Sequence, residues 1–257
     1  MPQPFSPPVT QAASDAAATD ALRAAFGRAA PAHYTWQTEH PYVAEREREL
    51  VRAAFTPLGS RVLDVGCGEG ATLRHLGEPA GATGLDLFAD KIEFARAALP
   101  SCRFAVGSAY ELPFSVGAFD HVIVRDLVHH LDRPARFVEE CARVIEPGGR
   151  IDVLEPSRYC PLIAAHAILT PVERGELRST MSYVTGILGA HFRVVGTHRY
   201  QPMPIHRVVF HPDFRFALPA THDGALRAVG AIERMASRFV PRVMWAYLHV
   251  RAVRLDA

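Results

Sequence analysis

Two acids and a glycine turn carry the strongest chemical signal in this chain. The stretch Val62-Leu63-Asp64-Val65-Gly66-Cys67-Gly68-Glu69-Gly70 reads as an apolar strand, a glycine turn and the start of a helix. Glycines permit positive φ and leave the backbone bare for a ligand. A helix N-terminus presents N–H groups to an anion. Asp86 ends the next apolar run, 20 residues beyond Gly66. A carboxylate at that place can accept both hydroxyls of a ribose. The same residues satisfy a dinucleotide fingerprint, because Gly66, Gly68 and Ala71 match G-x-G-x-x-G/A. The glycines therefore leave an NAD-dependent oxidoreductase open.

Asp64 weighs against a dinucleotide. It sits where the strand enters the turn, close to where a diphosphate would lie, and two anions repel. An ammonium group there would instead gain a charge-assisted hydrogen bond, worth about 1.5–3 kcal/mol. A ligand with both an adenosine and a free ammonium fits these residues, and S-adenosylmethionine has both. Further along, His129, His130 and Glu155 follow two later apolar runs and are the candidate catalytic residues. A histidine is neutral over much of the physiological range and suits a general base. Glu155 could orient a substrate hydroxyl.

These residues must be positioned by a layered fold. Strands are expected at Arg61–Val65, Thr83–Leu87, Arg103–Val106, His121–Val124 and Arg150–Leu154. Helices are expected at Glu69–Leu76, Ala89–Leu99 and Pro134–Ile145. Strands alternating with helices imply βαβ units, a mostly parallel sheet and helices on both faces. In such sheets ligands sit at the carboxyl ends of the strands, where every candidate above falls. A helix from Pro41 to about Phe55 precedes this core, with Glu45, Arg46, Arg48, Glu49 and Arg52 on a solvated face. Beyond Glu155, helices near 160–170, 179–189 and 225–239 and two edge strands, Phe192–Tyr200 and Val243–Val253, are expected, with an irregular stretch at 201–222. The Pro/Ala/Ser/Thr-rich residues 1–18 read as a disordered tail and 19–257 as one domain, its core at 57–155. The acceptor or lid elements would then be 19–56 and 156–240.

From Arg61 to Glu155 the chain resembles the class I S-adenosylmethionine-dependent methyltransferases. The likeness rests on LDVGCGEG, GLDL, GSAYELPF, FDHVIVRDLVHHLD and ARVIEPGGRIDVLEP, in that order. It implies an α/β, doubly wound, Rossmann-like sheet of seven strands with a reversed last hairpin, and a small-molecule acceptor. It also implies that Asp64, Gly66, Cys67 and Gly68 meet the methionine part and Asp86 the ribose. Leu87 would lie beside the adenine, Ser108 and Ala109 at its edge, and Arg125 would approach through its backbone. Many members carry aspartate where this chain has Ser108; a neutral serine accepts more weakly. In plant-type O-methyltransferases of small molecules a catalytic histidine occupies a place resembling that of His129.

Composition narrows the partners. Lys+Arg 28 against Asp+Glu 27 gives a net charge of +1, which removes the electrostatic argument for a nucleic-acid or membrane binder. Cys67, Cys102, Cys141 and Cys160 are far apart, so zinc spacing is absent, no metal is expected, and reduced thiols in a cytoplasmic protein are. The acceptor pocket should come from outside the core, with Tyr34, Trp36, Phe210, Phe214 and Phe216 as candidate walls. The same aromatics could simply pack. A homodimer is compatible with this reading, as is a non-catalytic cofactor-binding scaffold.

Overall fold

The computed structural model describes residues 22–212 and 222–256. Seven strands form one sheet: β1 (Val62–Val65), β2 (Thr83–Asp86), β3 (Arg103–Val106), β4 (Phe119–Arg125), β5 (Ile145–Pro156), β6 (Phe192–Tyr200) and β7 (Tyr247–Arg254). Their spatial order is β3-β2-β1-β4-β5-β7-β6. Strands β1 to β5 pair in parallel, and β7 runs antiparallel to both β5 and β6. The reversed strand is thus interior, between β5 and β6, rather than at the edge.

Alternation along the strands sorts side chains to two faces. Leu63, Val65, Val122, Val124, Ile151 and Val153 pack with Phe137, Cys141 and Val184 on one side. These last three come from α5 (Pro134–Val144) and α7 (Met181–Leu188). Val62, Ile123 and Leu154 face the other side, with Val51, Phe55, Leu73, Ile92 and Ile163. That face is covered by α2 (Pro41–Phe55), α3 (Ala71–His75), α4 (Ala89–Ala98) and α6 (Pro161–Leu169). A third cluster joins Trp36 of α1 (Pro31–Glu39), Val43, Phe210 and Val229 of α9 (Asp223–Phe239). The short α8 spans His206–Val209.

Several boundaries differ from the sequence expectation for local reasons. The helix after the glycine turn begins at Ala71 rather than Glu69, because Gly70 (φ +86°) still belongs to the turn. Strand β5 starts at Ile145 rather than Arg150 and carries Gly148 (φ +74°) within it. Residues 242–244 form a 3-10 turn, so β7 starts at Tyr247. There the β6–β7 hairpin is clasped: Tyr200 pairs with Tyr247, and Ala246 N–H donates to the Gln201 carbonyl at 2.8 Å. Residues 1–18, Phe214 and Phe216 lie outside the described residues.

Candidate functional site

The glycine turn is locked to the strand beside it. Gly66 N–H and Cys67 N–H both donate to the Leu85 carbonyl, at 2.8 and 3.0 Å. Gly68 N–H donates to Asp86 Oδ2 at 2.9 Å, and Phe88 N–H donates to Asp86 Oδ1 at 3.0 Å. Asp86 therefore ties the turn to the end of β2 while each oxygen keeps further acceptor capacity. Burial raises its carboxyl against the lowering pull of these hydrogen bonds. Because the amides of Gly66, Cys67 and Gly68 are already committed, they are not a ready cradle for a diphosphate. Gly66 (φ +78°) and Gly68 (φ +53°) take the left-handed backbone the turn needs. A Cβ on Gly68 would meet only Lys91 Nζ, at 3.9 Å, so that side of the turn is open to a ligand. The Cys67 side chain is buried and points away, into the layer beneath β2.

Asp64 ends up 1 % exposed, and its Oδ2 has no hydrogen-bond partner among the described residues. Burial drives its pKa up to about 7, with Arg125 lowering it and Asp86 raising it. An unpartnered buried carboxylate is costly unless something cationic or hydrogen-bonding comes to it. The ammonium end of an amino-acid ligand is such a partner, so the residues present fit S-adenosylmethionine. Leu87 is 43 % exposed directly after Asp86, a flat apolar surface beside a ribose-type acceptor. Ser108 Oγ accepts from Tyr110 N–H at 3.1 Å, closing a local turn, and Ala109 packs against the core.

Arg125 stands at the end of β4 with its side chain buried. It pairs with fully buried Glu47 of α2 and with Asp126 at 3.3 Å. Glu47 also accepts from Arg207 of α8 through Nε at 3.1 Å and Nη2 at 2.8 Å. His206 Nε2 is 3.7 Å from Glu47, while its Nδ1 is 2.7 Å from Glu233. Burial penalises the Glu47 charge, but Arg207 and Arg125 outweigh it and hold the carboxyl well below its ordinary value. Nothing in the sequence singled out Glu47, which lies among the charged residues of α2. Of the residues expected on the solvated face, Glu45, Arg48, Glu49 and Arg52 are exposed and Arg46 is half-buried.

The three catalytic candidates are brought together. Glu155 is fully buried on β5. Its Oε1 accepts from Leu127 N–H and Val128 N–H, both at 2.8 Å, and its Oε2 from His129 N–H at 3.1 Å. His129 Nδ1 is 2.7 Å from the same Oε2, and its Nε2 is 3.3 Å from Glu173 Oε2. Burial opposes the charged imidazole, but Glu155 and then Glu173 raise its pKa well above the ordinary value. So placed, His129 faces a carboxylate at each ring nitrogen. Glu155, with four donors, has none of its acceptor capacity facing a substrate. The general-base and hydroxyl-orienting roles expected for them would be exercised from within this hydrogen-bonded cluster. His130 differs: burial, then the neighbouring His129 charge, push its pKa down to about 4, and its Nδ1 has no partner among the described residues.

The N-terminal segment lies across these groups. Phe26 packs on the His130 ring at 5.1 Å between centroids and holds Lys91 Nζ 5.7 Å from its own. Ala30 N–H donates to Glu69 Oε1 at 2.9 Å, and Tyr34 meets Phe94 edge-on at 5.0 Å. Tyr34, Trp36 and Phe210 are buried by packing, as their second reading allowed. A cleft of about 320 Å³, lined by Tyr42, Arg46, Tyr200, Met203, Glu233 and Arg234 among others, touches none of the cofactor-site candidates. No helix of the described residues is long and apolar enough to cross a membrane.

Comparison with known proteins agrees with this architecture. A methyltransferase-domain family model matches residues 63–152. A Mycolicibacterium smegmatis protein described as a probable S-adenosylmethionine-dependent methyltransferase is 31% identical over 218 residues, 82% of this chain and 79% of that one. A fatty-acid O-methyltransferase from the same organism is 37% identical over 121 residues, and the match spans 45% of this chain and only 41% of the relative. Among solved structures, Haemonchus contortus phosphoethanolamine N-methyltransferase 2 with bound S-adenosyl-L-methionine superposes with a TM-score of 0.62 at 17% identity, over 87% of this chain and 56% of that one. The sheet order, the unpartnered acid at the glycine turn and a relative matched over four fifths of its length converge on one family, and this chain belongs to the S-adenosylmethionine-dependent methyltransferases.

Proposed function

We propose that the chain methylates a hydroxyl oxygen of a small molecule, using S-adenosylmethionine. One observation carries the choice of oxygen: His129, His130 and Glu155 at the ends of β4 and β5 are joined by Glu173 from residues 171–178, in contacts of 2.7–3.7 Å. A neutral amine needs no such cluster, whereas a hydroxyl must shed a proton as it is methylated, a step worth about 10²–10⁴ in rate when a group assists it. The likeness to a fatty-acid O-methyltransferase supports the same reading.

The cofactor, when bound, supplies a methyl group already activated on sulfonium. Asp64 would hold its ammonium, with Gly66, Cys67 and Gly68 shaping the turn around the methionine part. Asp86 would accept from the ribose hydroxyls, Leu87 would lie on the adenine, and Ser108 and Ala109 would border its edge. The backbone at Arg125 would close the far side. Glu155 and His129 fix the turn that presents His130. The acceptor would enter between the segments flanking the core, and positioning there supplies much of the rate.

The test is labelled-methyl transfer by purified protein to a panel of apolar hydroxyl, amine and carbon-acid acceptors. Label in hydroxyl compounds, lost in His130→Ala by two orders of magnitude at saturating acceptor, is expected. Transfer to amines alone, unaffected by that substitution, would overturn the reading.

A further inference from the structure

The sequence led to no metal expectation, because its cysteines lack metal spacing. The folded chain nevertheless brings three ligand-type atoms to one point. His129 Nε2 lies 3.3 Å, and His130 Nε2 3.7 Å, from the same Glu173 Oε2. Side-chain ligand atoms of these three residues all fall within 4.8 Å of one another. We propose that His129, His130 and Glu173 bind a divalent first-row transition-metal ion. The inference deepens the reading of this cluster as the acceptor's face.

The donor set is two imidazoles and one carboxylate, which suits zinc, iron, cobalt or nickel and disfavours magnesium or calcium, which prefer oxygen. Ligand bonds of about 2.0–2.2 Å place neighbouring donors about 3 Å apart. The observed separations need only small side-chain adjustments to reach that. The surrounding shell is also present. Glu155 Oε2 takes the Nδ1–H of His129 at 2.7 Å, which leaves Nε2 as the ligating nitrogen. Glu155 is itself fixed by three backbone N–H groups.

The backbone brings Glu173 close by a specific device. It sits in a 3-10 helix, Pro171–Arg178, that packs against the turn at 128–130. A Cβ on Gly175 would stand 1.8 Å from the His129 carbonyl oxygen, so only glycine allows this approach. Arg178 Nη2 then donates to that same carbonyl at 3.4 Å. A salt bridge alone would need one carboxylate for one imidazolium; here a second imidazole is aimed at the same oxygen. An ion in that place would hold an acceptor oxygen and lower its pKa, so that its proton leaves to solvent before methylation.

Full-length protein stripped with chelator, without cofactor or acceptor, is titrated with zinc(II) by calorimetry and with cobalt(II) by visible absorption. One ion per chain is expected, with no thiolate charge-transfer band and no magnesium binding. Glu173→Gln and His130→Ala should each weaken zinc by about tenfold or more, and Glu155→Gln by a comparable factor through loss of ring orientation. Circular dichroism confirms that each variant is folded. Absence of saturable binding, or affinity unchanged in both Glu173→Gln and His130→Ala, overturns the site. Hydroxyl methylation that persists in chelator would overturn a catalytic ion while leaving the proposed function standing.

Discussion

Asp64 and Asp86 are both buried acids, yet their surroundings set them different tasks. Asp86 has a backbone donor on each oxygen; Asp64 has an oxygen with none. Replacing Asp86 with alanine should weaken S-adenosylmethionine roughly ten- to a hundred-fold in calorimetry, the loss of about 1.5–3 kcal/mol for hydrogen bonds to a charged group. Unchanged affinity in a folded variant would remove the ribose assignment. Asp64 should announce itself through protons. Its pKa near 7 in the ligand-free chain means that it is part-protonated at neutral pH. A bound ammonium favours the ionised form, so binding should release a proton and tighten as pH rises from 6 to 8. Calorimetry in buffers of different ionisation enthalpy reads this directly. In Asp64→Asn the proton release should vanish, and affinity for the whole cofactor should fall more than that for adenosine. For the fold the sign is opposite: the unfolded acid ionises near its ordinary value, so raising pH from about 4 to 7 costs stability at this residue.

At the scale of elements, helix α2 is fastened to the ends of β4 and α8 by one carboxylate. Glu47 holds Arg125 and Arg207, and removing its charge would leave one buried and one half-buried guanidinium without it. Breaking a buried pair costs about 3–5 kcal/mol, so Glu47→Gln should melt on the order of 10 °C lower, as a thermal scan would show. A Glu47→Asp variant within a degree of wild type would indicate that the geometry tolerates more than this packing implies. Gly175→Ala offers a second check: the added methyl must push residues 171–178 away from His129, so zinc affinity and methylation should fall together. These examples show where sequence reading stops. The glycine turn, Asp86 and the histidine pair are legible because each is a local pattern with a local physical reason. Glu47 looks like any charged residue of an amphipathic helix, since its partners lie 78 and 160 residues away. Glu173 follows Thr170-Pro171-Val172 with no pattern around it; its role comes from a close approach that Gly175 permits. Likewise, the hydrogen bonds that join His129 to Glu155 depend on which way their polar atoms face, and spacing does not encode that.

Across the whole molecule, chemistry is separated from support. The ends of β1, β2, β4 and β5 carry Asp64, Asp86, Arg125 and Glu155. Deeper in the sheet, Asp152 on β5 is bonded to His121 on β4 at 2.8 Å and to His249 on β7 at 2.8 Å, which stitches three strands together. The N-terminal segment from Phe26 to Tyr34 crosses the ligand end. Removing residues 1–18 should leave cofactor affinity and the melting midpoint unchanged, because their Pro/Ala/Ser/Thr-rich sequence offers few apolar side chains to dock. A variant cut after Glu39 would instead lose affinity, measured by the same titration. The β6–β7 hairpin has a further consequence. Strand β6 leaves the sheet at Tyr200 and β7 re-enters at Tyr247, directly opposite, with Ala246 and Gln201 bonded across the gap. The segment between them, which carries α8 and α9, leaves and returns at two points that already touch. Changes in the length of that excursion would therefore leave the strand register intact, and their cost would fall on its contacts with α1 and α2.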